Sequence, residues 1–230
     1  FSRVERNIQE GDTKLFGFFD VSSTPYLIRA EAALDFGEYA RAVEEAKKGY
    51  EIAVATHAHK QLLIFALGEL SLAHALTGNK AEAEKYAKLL EKIGTFYPDN
   101  GIKPDKMNAL ARTYMALGDY SKALKKLRAS DYGFGLMANV ITGTSFVGES
   151  IFTYNELPKR FMTNKCLYET GRAAEAKSGY EKLLKHPGTV SNGDVYWMIL
   201  FDLGRISEAE GNLDQAVDYY EKAVTVFEEQ

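Results

Sequence analysis

The sequence predicts an all-α chain of about five antiparallel helical hairpins stacked in series. Three observations predict it. A Gly-x-x-x-x-Ala frame occurs five times, as Gly37 with Ala42, Gly78 with Ala83, Gly118 with Ala123, Gly171 with Ala176 and Gly211 with Ala216. Apolar residues at helical spacing flank every copy, as in Trp197, Leu200, Leu203 and Ile206 before Gly211 and Tyr219, Tyr220 and Ala223 after it. The glycines are 41, 40, 53 and 40 residues apart, which is nearly periodic apart from one longer step. In each frame the glycine ends a first helix in the left-handed conformation, and the alanine, one turn into a second helix, lets two backbones approach closely.

Taken in order, residues 1–22 form an N-terminal segment, with the apolar cluster Leu15–Phe19 read either as a cap or as the remnant of a preceding helix. The first hairpin starts at Thr24-Pro25, a proline suited to a first helical turn, and continues through Tyr26, Ala30 and Ala33 to Gly37. Its second helix carries Ala42, Val43, Ala46, Gly49 and Tyr50. The second hairpin has Leu63, Leu67, Leu70, Ser71 and His74, then Ala83, Tyr86, Ala87 and Leu90, stopping at Gly94. The third has Met107, Leu110, Ala111 and Tyr114, then Tyr120, Ala123 and Leu127. Residues 131–155, with Gly133, Gly135, Gly143 and Gly148, read as an insertion holding one short helix from about 135 to 141. The fourth hairpin resumes at Glu156-Leu157-Pro158, and its second helix stops at His186-Pro187-Gly188. The fifth opens after Ser191-Asn192-Gly193-Asp194, with Asn192 or Asp194 as cap.

This frame resembles the tetratricopeptide (TPR) repeat. The usual period of about 34 residues is lengthened here by about six. The resemblance implies a superhelical array over residues 23–230, with the first helices lining a concave groove that binds proteins or peptides. A narrower likeness covers roughly the last third. It is carried by Phe146–Ser150, Leu157–Met162, Asn164-Lys165, Tyr180–Leu184, Gly193–Trp197, Gly204–Ile206 and Glu208–Gly211. This run resembles the TPR segment that precedes the caspase-like protease domain of bacterial CHAT proteins. That likeness implies a regulatory or inhibitory arm packing in cis on a protease domain, the chain being a fragment whose continuation lies beyond Gln230. The family's catalytic His and Cys belong to that later domain, so no catalytic residue is carried over.

Composition narrows the function classes. With 46% hydrophobic and 26% charged residues the chain can bury a core, and no apolar run reaches the roughly 18–20 residues of a membrane span. A formal charge of −4 argues against a nucleic-acid binder, which would show a basic face. The single Cys166 allows no internal disulfide and leaves the compartment open, cytoplasmic or exported after removal of a signal. Gly133–Ala138 matches a G-x-G-x-x-A string, but a Lys- and Leu-rich helix precedes it where a dinucleotide site needs a strand. His57, His59 and His74 lack partners to complete a metal set, and Cys166 lacks a catalytic neighbourhood. The expectation is therefore a non-catalytic scaffold with neither cofactor nor metal.

The groove is where the sequence points to a site. The residue after the small position of each first helix should face it, giving Glu31, Leu72, Arg112, Lys165 and Arg205. Arg112, Lys165 and Arg205 make a basic row, joined by Asn108, Phe161, Tyr168 and Phe201. Such a surface suits an acidic or C-terminal carboxylate peptide, held by paired hydrogen bonds from arginine and packed by aromatic rings. The bland alternative pairs these cations with Asp105, Glu169 and Glu208. Replacing all three cations by Glu should abolish partner binding and leave helicity and melting nearly unchanged, because exposed groove charges contribute little to folding.

Overall fold

The computed structural model describes residues 14–15, 19–20, 22–58, 60–94, 102–130, 150–186, 189 and 193–228. Among them lie ten helices and one minimal ladder, in which Lys14–Leu15 pairs antiparallel with Phe19–Asp20. The chain is all-α and TPR-like. It forms two compact units, residues 1–144 and 145–230, dividing within the segment expected to be inserted. In the first unit α1 (Thr24–Asp35) pairs with α2 (Tyr39–Ala55), α3 (Lys60–Leu76) with α4 (Lys80–Lys92), and α5 (Ile102–Ala116) with α6 (Tyr120–Ala129). In the second, α7 (Ser150–Glu169) pairs with α8 (Ala173–Leu184), and α9 (Gly193–Ala209) with α10 (Leu213–Glu228).

All five frame glycines adopt φ between 73° and 81°, where a side chain would be strained. At each, the glycine N–H bonds back to the third residue before it, and the next N–H reaches the fifth residue before itself. In the first hairpin these bonds are Gly37 N–H to Leu34 O at 3.1 Å and Glu38 N–H to Ala33 O at 2.8 Å. The same pair recurs at Gly78, Gly118, Gly171 and Gly211. It satisfies carbonyls that a helix end leaves orphaned. The second helices start at once. Asn79 and Asp119 cap two of them, accepting from the backbone N–H groups of Glu82 and Lys122. The frame alanines are all buried.

Packing within the first unit follows the repeat. Leu27 of α1 and Ala53 of α2 share a cluster with Leu62 and Ala66 of α3. Ala33, Leu34 and Ala42 meet Leu72 and Ala73, and Ala30 and Ala46 meet Leu70. One boundary differs from the expectation. The first helix of the fourth hairpin begins at Ser150, not Glu156, and carries Pro158 inside it. Proline removes one backbone donor but need not end a helix whose neighbouring turns are held by packing, here by Leu157 and Phe161, both buried. The expected short helix at 135–141 lies outside the described residues.

Candidate partner-binding face

In the first unit, Arg112 on α5 donates through its Nη1 to Glu69 Oε1 of α3 at 3.3 Å. Glu69 is 2% exposed, and burial pushes its carboxyl up to about 7 despite the opposing attraction of Arg112. Glu31 and Asp35 of α1 add repulsion to it, and burial raises Glu31 as well. Asn108 stands one turn before Arg112, its buried Oδ1 without a hydrogen-bond partner among the described residues. Leu72, expected to face the groove, is buried with Leu34 and Ala73 instead.

In the second unit, Asp202 of α9 is 1% exposed and gathers three neighbours. It accepts from the Tyr180 hydroxyl at 2.8 Å, and Lys165 Nζ lies 3.6 Å from the same oxygen. Arg205 Nη1 lies 3.5 Å from the other oxygen and 3.0 Å from Glu169 Oε1. The Arg205 guanidinium also sits over the Tyr168 ring, 4.8 Å from its centroid. Burial and the Asp202 carboxylate push the Tyr180 hydroxyl far above its ordinary range.

Four of the seven expected residues, Phe161, Lys165, Tyr168 and Arg205, thus belong to connected contacts on α7 and α9. Two of the seven need correction or qualification. Phe161 is buried, its ring 5.9 Å from Tyr180 with the Lys165 ammonium over it, so it supports the face from below. Phe201 is half-exposed and leans on Tyr220 of α10, 5.6 Å away. Asn108 and Arg112 belong to the first unit. The cations are not free: Arg112, Lys165 and Arg205 all pair with carboxylates. Of the acids named beforehand only Glu169 is a partner, since Asp105 accepts from Gln61 and Glu208 from Tyr220. Reversing all three charges would therefore strand a buried Asp202 and Glu69, which corrects the expectation of unchanged melting.

Glu69 and Asp202 were missed. Both stand two residues before the small position of their first helix (Ser71 and Gly204), in otherwise apolar runs. A carboxylate at a repeat position that holds the apolar Ile28, Ala109 and Met162 in the other first helices was the available signal.

Cys166 is buried, and burial pushes its thiol up to about 11, which keeps it protonated and unreactive near neutral pH. His74 stacks on Tyr86. Among the described residues no three His, Cys, Asp or Glu converge to hold a metal, and no helix is long and apolar enough to cross a membrane. Residues 133–138 and His59 lie outside the described residues.

Hairpins closed by a left-handed glycine and crossed at a buried alanine define a TPR-like repeat scaffold. Family models of the tetratricopeptide repeat match residues 107–130 and 199–230, so the chain carries TPR repeats. Two crystal structures of nearly identical TPR-like repeats from a putative kinesin light chain of Podosopora anserina share the fold. One is 18% identical over 88% of this chain and 92% of that one, with a TM-score of 0.52. The other is 17% identical over 88% and 93%, with a TM-score of 0.50. No curated protein matches the sequence. TPR repeats generally serve as protein-interaction scaffolds.

Proposed function

We propose that this chain is a non-catalytic scaffold that docks a partner protein or peptide on the faces of its first helices. In the second unit the anchor is Arg205, with Lys165 and Tyr168 beside it. The observation that supports the reading is the posture of Arg205. Its guanidinium is ordered by Tyr168 beneath it and by Glu169 and Asp202 at one nitrogen, and it is still about one-third exposed. A guanidinium fixed in this way loses little freedom when its remaining donors meet a carboxylate. The partner chemistry that fits is an acidic segment or a C-terminal carboxylate, with Tyr168 packing against it. The narrower form, an arm acting in cis on a caspase-like CHAT domain, draws on the sequence resemblance alone.

The test is titration of the 230-residue chain with a library of acidic peptides at low and high salt. Binding should weaken with salt and fall about tenfold or more in Tyr168→Ala and in Arg205→Gln. Undiminished binding by both variants, each still folded by circular dichroism, would move the docking face elsewhere.

A further inference from the structure

The first unit gathers three carboxyl groups around one cation. Glu69 of α3 feels the charges of Glu31 and Asp35 on α1 and of Arg112 on α5. Arg112 meets only one Glu69 oxygen, at 3.3 Å, which is long for a bond between charged groups. Glu31 and Asp35 make no ion pair or hydrogen bond among the described residues. The cluster is therefore short of positive charge.

An acidic cluster by itself is ordinary surface, but this one covers acceptors that have no donor. The second Glu69 oxygen, Oε2, is buried without a hydrogen-bond partner among the described residues, on a side chain only 3% exposed. Asn108 Oδ1 is in the same state. The two belong to one seam. A Cβ built on Gly68, the residue before Glu69, would come within 2.9 Å of the Cβ of Ala109, the residue after Asn108. Asn108 and Arg112 are one turn apart and so share a face of α5. A buried acceptor without a donor is costly, and the acids around these two favour a donor that is charged.

An ammonium group fits. It is a compact charge with three donors on a slim four-carbon stem, so it can serve acceptors on separate side chains. A guanidinium fork is better matched to the two coplanar oxygens of one carboxylate. Arg112 is 38% exposed and its tip touches Glu69, which puts the acids one side chain below the surface, within reach of such a stem.

We propose that this face of α1, α3 and α5 binds a lysine side chain of a partner protein. Its ammonium donates to Glu69 Oε2 and Asn108 Oδ1, and Glu31 completes the neutralisation. The site shares with the reading above only the use of first helices. It lies in the other unit and takes the opposite charge.

Burial pushes the Glu69 carboxyl up to about 7 and raises Glu31, and a bound cation draws those protons off. Affinity should therefore rise from about pH 6 to about pH 8, a range in which the amine stays charged.

The probes are n-butylammonium, which reproduces the lysine stem and head, and n-butanol, its neutral counterpart. Each is titrated into the whole isotope-labelled chain and followed by amide chemical shifts. The ammonium should shift amides around Glu31, Glu69 and Asn108 to saturation, and bind about threefold tighter or better at the higher pH. The alcohol should leave them in place. Glu69→Gln should weaken the ammonium about tenfold and remove most of the pH dependence. Glu31→Gln, at a half-exposed position that leaves the core untouched, should weaken it about threefold. Equal shifts from the alcohol, shifts that miss these residues, or affinity unchanged in both variants would overturn the proposal. An acidic peptide still bound at Arg205 in that case would show that this site alone had failed.

Discussion

At the scale of single residues, the buried acids explain why the cations of the first helices stay in place. Glu69 carries the clearest consequence. Its carboxyl has an ordinary value near 4.5 and is pushed up to about 7 in the fold, so the folded state holds its proton more tightly than the unfolded chain. The stability linked to that proton is fully present below about 4.5 and is lost as pH rises through about 7. Glu31 and Asp105, raised by burial in the same unit, act in the same sense. His74, lowered by burial, acts in the opposite sense, so the contrast between wild type and variant is the measurement. The fall in melting temperature between pH 5 and pH 8 should be clearly smaller in Glu69→Gln, by the equivalent of about 1 to 3 kcal/mol. Parallel pH profiles would mean that Glu69 does not titrate in this window.

At the scale of elements, the hairpin rests on small residues at the crossing and glycine at the turn. A Cβ built on Gly204 would lie 2.5 Å from Tyr220 Cε1, and the Tyr220 ring is tethered through its hydroxyl to Glu208. Gly204→Ala should therefore destabilise the second unit by about 1 to 3 kcal/mol, read as a lowered midpoint in denaturant. An unchanged midpoint would show that the ring moves aside freely. This level was the most legible in the sequence, because a left-handed turn demands glycine and a close crossing demands alanine wherever they recur. The start of α7 was not legible. Proline reads as a first-turn residue from local preference, whereas Pro158 sits inside a helix that tertiary packing sustains. The site was half legible. Periodicity picked out Arg112, Lys165 and Arg205, but what lies beneath a helix depends on its neighbours. Glu69 reaches Arg112 from another hairpin, and Asp202 reaches Lys165 likewise. A tool of local spacing does not see those pairs. For the same reason Phe161 was taken for a groove ring although Tyr180 encloses it.

At the scale of the whole molecule, repetition sets the first helices of successive hairpins side by side within each unit. The first-helix faces carry ordered cations over buried carboxylates. The most direct test of the scaffold reading is to map an acidic peptide onto the isotope-labelled chain by amide chemical-shift perturbation. The account predicts shifts concentrated on α7 and α9 around Lys165, Tyr168 and Arg205, and their loss in Arg205→Gln. Shifts confined to the second helices, or a pattern indifferent to Arg205, would contradict it.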